Sequence, residues 1–298
     1  ITLYLRNDTT NMSKPLIGVL GGSGLYQMDA LTDIQEHIID TPFGSPSDVV
    51  VTGQVAETQV AFLARHGRGH RLIPTEIPYR ANIYALKSLG VRYLISVSAV
   101  GSLREEIRPL DMVLPDQFID LTKHRTATFF GDGTVAHVSM AQPVCPALSD
   151  LLAQAVESQN FADLKLHKGG TYVCIEGPSF SSVAESHWYR SMGANIIGMT
   201  NMPEAKLARE AQIAYATLAL ATDYDCWHPK EAHVTANMAI ANLMKNAAHA
   251  QQVLVRTIEL IARTLPDSIA HTSLSSGLIT PLSSMSDAVK QRMSVLLS

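Results

Sequence analysis

Two carboxylates, Asp223 and Asp225, stand two residues apart in Ala-Thr-Asp-Tyr-Asp-Cys-Trp, residues 221–227. They follow an apolar run, Ile213 to Ala221, that reads as a buried strand. If the strand continues through them, its period of two puts both on one face. Burial and a like charge nearby both raise a carboxyl pKa. A carboxyl kept protonated in this way can donate a hydrogen bond or a proton to a heterocycle nitrogen. The plainer alternative is a polar strand end in a surface loop.

Three further groups carry possible chemistry. Gly21-Gly22-Ser23-Gly24 follows a short apolar segment. Glycines let backbone N–H groups close around an anion, and Ser23 adds a hydroxyl. The dinucleotide fingerprint is not met, because Asp29 or Gln27, depending on register, stands where its last glycine belongs, and no Gly-Lys-Ser/Thr follows. A tight turn is the competing reading. Arg65-His66-Gly67-Arg68-Gly69-His70-Arg71 gathers cationic and donor groups, and arginine's planar fork matches phosphate. A solvated basic loop would look the same. Phe180 can stack on a flat ring and Met199 can lie against a sugar, although both residue types more often fill cores. His66 and His70 are four apart but lack the helical, Glu-flanked context of a zinc site, and no metal site is expected.

These groups need elements to bring them together. Strands are expected at 16–20, 49–51, 60–64, 93–97, 112–114, 117–119, 171–175, 196–200 and 213–221. Helices are expected at 81–89, 148–159, 183–192, 203–214 and 238–265. The alternation predicts an α/β fold with a mixed β-sheet, partly barrel-like and flanked by helices. Ser23, Arg65, His66, Ser98, Phe180, Thr200, Asp223 and Asp225 all fall where strands end, the place where open α/β sheets bind ligands.

The chain has 298 residues, of which 46% are hydrophobic, enough for one large core. A net charge of -4 without a dense Lys/Arg block gives no reason to expect nucleic acid. No apolar run reaches the roughly 18 residues of a membrane span. Cys145, Cys174 and Cys226 are too scattered for a metal motif and odd in number, which suggests reduced thiols in a cytoplasmic protein. Residues 1–11 read as a disordered leader or added extension, 12–265 as one domain, and 266–298 as a Ser/Thr/Pro-rich, partly mobile tail with a final helix near 287–297.

Taken in order, the motifs resemble the methylthioadenosine phosphorylase branch of the trimeric purine nucleoside phosphorylases. The matching pieces are Gly-Gly-Ser-Gly-Leu (21–25), Asp-Thr-Pro-Phe-Gly-x-Pro-Ser-Asp (40–48), Ala-Arg-His-Gly-Arg (64–68), Ala-Asn-Ile-Tyr-Ala-Leu-Lys (81–87), Gly-Ser-Leu-Arg-Glu-Glu-Ile (101–107), Asp-Gln-Phe-Ile-Asp (116–120), Glu-Gly-Pro-x-Phe-Ser-Ser (176–182), Gly-Met-Thr-Asn-Met-Pro-Glu (198–204) and the segment at 221–227. The resemblance implies phosphorolysis of 5'-methylthioadenosine to adenine and 5-methylthioribose 1-phosphate, with phosphate as co-substrate and no cofactor.

It also implies roles. Ser23, Arg65, His66, Ser98 and the Ala99 amide would hold phosphate, and Thr200 would bridge phosphate and ribose. Met199 would lie against the ribose. Phe180, Ser181, Asp223 and Asp225 would meet the purine, with the two aspartates catalytic. Thr235 and Met238 would line the 5' side. His137 would reach the 5' pocket of a neighbouring subunit in a homotrimer. Ser replaces the family's frequent Thr at 23 and 98, which keeps the hydroxyl. The segment 228–238 is one residue shorter than in the animal enzymes, which leaves 5'-substituent tolerance open. Three other readings compete: a phosphorylase of 6-oxopurine nucleosides, against which Asp223 speaks; a dinucleotide-dependent oxidoreductase; and a purine-binding protein without turnover.

Overall fold

The computed structural model describes residues 17–22, 28–231 and 233–297. The leader at 1–11 and Ser23 lie outside the described residues. The strands are β1 (Ile17–Gly21), β2 (Thr32–His37), β3 (Val50–Val55), β4 (Thr58–Ala64), β5 (Tyr93–Ser102), β6 (Met112–Leu114), β7 (Gln117–Asp120), β8 (Leu166–Lys168), β9 (Thr171–Cys174), β10 (Ile196–Gly198) and β11 (Ala214–Asp223). The helices are α1 (Tyr79–Ser88), α2 (Pro146–Ser158), α3 (Val183–Ser191), α4 (Asn201–Glu210), α5 (Ala236–Thr264), α6 (Ser273–Gly277) and α7 (Asp287–Met293).

All strands join one mixed sheet in the order β2-β3-β4-β1-β5-β10-β9-β7, with β11 pairing β5 and β6, and β6 pairing β8. The expected mixed α/β sheet is found; among the described residues it forks at β5 and does not close. β1 and β11 are buried along their whole length, as strands covered on both faces must be. Side chains of α2 and α5 pack in one core cluster. Those of α1, α4, α6 and α7 pack in another. A smaller third cluster joins Leu103, Tyr189, Ile197 and Trp227.

The central strand β5 creates the opening. Its first half runs parallel to β1, whose pairing ends at Leu20 opposite Ser96. Its last residues, Gly101 and Ser102, pair antiparallel with β10. Between these two partners one edge of β5 is open at Ser98 and Ala99. β11 runs parallel along the other edge. A sheet that changes neighbour in this way makes a crevice at its carboxyl ends, where helices leave room for a ligand.

Most expected elements appear within a few residues of their predicted bounds. β2 was not expected: its residues are polar and mainly exposed at the sheet edge, so no apolar period marks it. The short β8 likewise carried no signal. The region 266–297 is folded against the body rather than mobile. Leu274, Met293 and Leu296 are buried in the cluster shared with α1 and α4. Its Ser/Thr content supplies caps instead, as where Ser268 and Ser286 accept from Ala270 and Val289 amides. Met293→Ala is therefore expected to cost about 2–4 kcal/mol of stability. Urea unfolding checks this, and a change under 0.5 kcal/mol would show the segment to be dispensable.

Candidate active site

Asp223 and Asp225 are both buried, at 5% and 3% exposure. They do not meet by simple strand alternation. The register of β11 against β5 shifts between Ala221 and Asp223, and Asp225 adopts a left-handed φ of 51°. This bulge turns the Asp225 amide to donate to Asp223 Oδ1 at 2.8 Å. The Thr222 hydroxyl donates to the other Asp223 oxygen at 2.6 Å. A bulge at a strand end re-aims side chains, and here it replaces the one-face arrangement expected from spacing. Gly101 makes room: a Cβ there would stand 2.9 Å from Asp223 Oδ1 and 3.0 Å from Ile197 Cγ2.

Burial pushes the Asp223 carboxyl up to about 6, with Asp225 repelling in the same direction, against the bonds from Thr222 and the Asp225 amide. Burial also raises Asp225, while Ser186 and Ser181 beside it and the Cys226 amide favour its ionised form. The Ser181 and Ser186 hydroxyls make no hydrogen bond of regular geometry. The pair thus offers a carboxyl that takes up and gives up a proton at about pH 6 beside a second acceptor.

The cationic end is built on β4 and β5. Arg65 is 2% exposed. Its Nε donates to Glu204 Oε2 at 2.6 Å and its Nη2 to Oε1 at 3.0 Å. Nη2 also reaches the Ser96 hydroxyl at 2.7 Å and the Leu20 carbonyl at 3.1 Å, and Nη1 reaches the Val97 carbonyl at 3.1 Å. Burial opposes the charged guanidinium, but Glu204 outweighs it and keeps Arg65 cationic. His66 donates from Nδ1 to the Leu72 carbonyl at 2.8 Å, and its ring stacks on His70 with centroids 4.1 Å apart. Burial, with Arg65, His70 and Arg125 acting the same way, lowers His66 to about 4, so the ring is neutral at pH 7. Ser98 Oγ lies 3.3 Å from Thr200 Oγ1 and 3.3 Å from the Tyr172 hydroxyl. Ala99, between the buried Ser98 and Val100, is exposed into the β5 opening.

Arg125, which no sequence pattern singled out, ties the remaining walls together. Its Nη1 donates to the carbonyls of Met199 at 2.6 Å and Met202 at 2.7 Å and to the Tyr79 hydroxyl at 3.0 Å. Its Nη2 donates to the Glu176 carbonyl at 2.7 Å, and its Nε to Glu176 Oε1 at 3.1 Å. Glu176 further accepts from Thr75 and from the Lys123 and His124 amides, and lies well below the usual range, at about 2. Burial works against that lowering and the hydrogen bonds outweigh it. Met199 is thereby fixed beside the loop that carries Phe180 and Ser181. Phe180 itself is 43% exposed, on a surface rather than in the core. The loop ends in a capping box, Ser182 with Glu185, that starts α3.

The 5'-side candidates are partly gathered. Thr235 caps α5, accepting from the Met238 amide at 3.3 Å. Its neighbour Val234 donates to the Asp225 carbonyl at 2.9 Å, which brings that segment back to the carboxylates. His137 is not brought in. It is exposed on a segment whose backbone bonds Gly277, and no described contact joins it to the other candidates within this chain. Glu204 and Arg125 were missed because Arg65 lies 139 residues from the first and every partner of the second at least 46 residues away in sequence. Only Glu204's place after Asn-Met-Pro hinted at a role. A cavity of about 310 Å³ between Leu114, Gln117, Val144, Pro146 and Lys168 gathers no comparable chemistry. Among the described residues no cluster of His, Cys, Asp or Glu is placed to hold a metal, and no helix is long and apolar enough to cross a membrane.

A model of the family described as "Phosphorylase superfamily" matches residues 16–259. The S-methyl-5'-thioadenosine phosphorylase of a Synechocystis species is 55% identical over 297 residues, which span 100% of this chain and 91% of that protein. The protein of the same name from Thermosynechococcus vestitus is 57% identical over 282 residues, 95% of this chain and 98% of its own. A crystal structure of a methylthioadenosine phosphorylase from an antarctic soil metagenomic library superposes with a TM-score of 0.92 at 62% identity, covering 96% of this chain and 100% of that one. Methylthioadenosine phosphorylase from Schistosoma mansoni in complex with adenine gives 0.82 at 34% identity, covering 89% and 99%.

Proposed function

This chain belongs to the phosphorylase superfamily, on the branch of the S-methyl-5'-thioadenosine phosphorylases, and from that premise we propose that it cleaves 5'-methylthioadenosine with phosphate. The products are adenine and 5-methylthioribose 1-phosphate. The observation within the chain that carries the reading is the buried Asp223, raised to about 6, at the end of β11.

The bond from ribosyl C1' to purine N9 breaks, and its electron pair goes to the base. Protonated Asp223 donates to N7 and neutralises that charge. A phosphate oxygen forms the new bond to C1', whose cationic character positioning and electrostatics favour. Asp225 accepts from the exocyclic amine, and Ser181 and Phe180 complete the base side. Met199 lies against the ribose, and Thr235 and Met238 line the 5' side. Arg65, Ser98, the Ala99 amide, Thr200 and Ser23 hold phosphate. His66 joins them as an acceptor, because its Nδ1–H is already given to Leu72 and the ring is neutral. Its Nε2 then bonds the hydroxyl of hydrogen phosphate. In this reading no metal or organic cofactor enters.

The same reading has the protein work as a cytoplasmic homotrimer, in which the outward-facing His137 serves a neighbour's 5' pocket. Its three cysteines, all buried, suit a reducing compartment. An acidic residue at 223 disfavours a 6-oxopurine, which an Asn there would suit better. The test is adenine release from 5'-methylthioadenosine with and without phosphate, beside inosine. Phosphate-dependent release from methylthioadenosine alone is expected. Equal turnover of inosine would overturn the base assignment, and release without phosphate would overturn the phosphorylase reading.

A further inference from the structure

Arg65 is the one buried cation among the groups assigned above to phosphate, yet its charge is already matched. Glu204 grips two edges of the guanidinium, at 2.6 and 3.0 Å, and is itself 1% exposed. Glu204 Oε1 also accepts from the Ser96 hydroxyl at 2.7 Å and the Tyr215 hydroxyl at 2.9 Å. Tyr215 in turn accepts from Asn201 Nδ2 at 2.8 Å, so the residue next to Thr200 belongs to the same network. His66 supplies no positive charge, and the next buried guanidinium, Arg125, is paired with Glu176. The exposed Arg68 of the same loop is paired with Glu36 and Asp48, and Arg71, also exposed, turns its guanidinium to the Ser47 carbonyl at 3.3 Å. A full anion clamp would leave its arginine unpaired. Here, among the described residues, one Nη1 hydrogen remains beyond the bond to Val97.

Resting on the proposed phosphate site, we infer that Glu204 is a positioning residue that neutralises Arg65, so that phosphate is held by aligned hydrogen-bond donors and not by net charge. The consequence is kinetic. A phosphate oxygen must give electron density to C1', and an uncompensated buried cation would stabilise the free dianion more than the transition state, where that charge is being spent on the sugar. Stronger ground-state binding of that kind lowers KM and kcat together. Glu204 thus gives up phosphate affinity in favour of phosphate reactivity.

Glu204→Gln keeps the shape and uncovers the Arg65 charge. Removing one partner of a buried ion pair destabilises the free protein, and phosphate then becomes the missing counter-ion. The KM for phosphate is expected to fall about fivefold or more while kcat falls about tenfold or more. Phosphate should also raise the melting temperature of Glu204→Gln by more than it raises that of the unaltered protein. Glu204→Asp, which keeps the charge, should return both kinetic parameters toward normal. A purely structural Glu204 would raise the phosphate KM in the Gln variant, and that result, or an unchanged KM, overturns the inference. If the Gln variant folds only in phosphate, that obligate dependence supports it. If it folds in neither condition, the unaltered protein decides. Its phosphate KM should rise less than about threefold between low and roughly 0.5 M KCl, and a tenfold rise would show a net-charged site and overturn the idea. Should phosphate affect neither turnover nor stability of the unaltered protein, the phosphate site itself is wrong, a failure distinct from these.

Discussion

Asp223→Asn is expected to lower kcat/KM for 5'-methylthioadenosine by at least tenfold, with most of the loss in kcat. An amide can hydrogen-bond N7 but cannot transfer a proton, and a positioned general acid is worth about 10² to 10⁴ in rate. The substitution should also move relative preference toward inosine by tenfold or more, since an amide donor suits a 6-oxo group. An unchanged kcat/KM removes Asp223 from the acid role.

The same variant carries a stability signature whose sign follows from burial. Asp223 rises from 3.8 to about 6 in the folded protein, chiefly because burial penalises its charge. The native state therefore holds this proton more tightly than the unfolded chain does. The stability it contributes is full below about 3.8 and is lost as pH rises through about 6, amounting to about 3 kcal/mol at 1.36 kcal/mol per pH unit. Asp223→Asn has no such proton to lose. Its stability relative to the unaltered protein should grow between pH 4 and 7, measured by urea unfolding at several pH values. Parallel curves would mean that Asp223 is not desolvated as the fold indicates.

Arg125→Lys should be still more damaging. Lysine offers three donors around one nitrogen, whereas Arg125 spreads its donors over the Met199, Met202 and Glu176 carbonyls, the Tyr79 hydroxyl and the Glu176 carboxylate. Its side chain is 1% exposed, so the carbonyls it abandons are poorly placed to find water, although the Glu176 carboxylate, 25% exposed, can. Leaving such groups unpaired costs about 3–5 kcal/mol. The loss falls on the chain segments that place Met199, Thr200, Phe180 and Ser181. A fall in kcat/KM of about a hundredfold or more is expected, together with the lost stability. Calorimetry and kinetics on one preparation check both, and a variant within 1 kcal/mol of the parent would show the clamp to be redundant.

The legible parts of this protein were those with local signals. Buried strands such as β1 and β11 announce themselves by largely apolar runs, and α5 by its stripe from Asn246 to Ile261. Candidate residues could be collected because ligand groups cluster after such strands. β2 was illegible because an exposed edge strand needs no apolar face. The C-terminal region misled because serine-rich composition describes caps as readily as it describes mobile chain.

The sequence by itself determined the α/β class, the positions of the central strands, and the residue types available at their carboxyl ends. Those follow from periodicity and from short motifs, which are properties of neighbours along the chain. The tertiary structure alone decided how the groups act. It set the bulge that folds the Asp225 amide onto Asp223, the burial that raises the proton affinity of Asp223, and the neutral state of His66. It also brought Glu204 across 139 residues to Arg65 and gathered six acceptors around Arg125. Proton affinity and charge balance depend on what surrounds a group in space. Those surroundings come from segments far apart in sequence, so no local pattern records them.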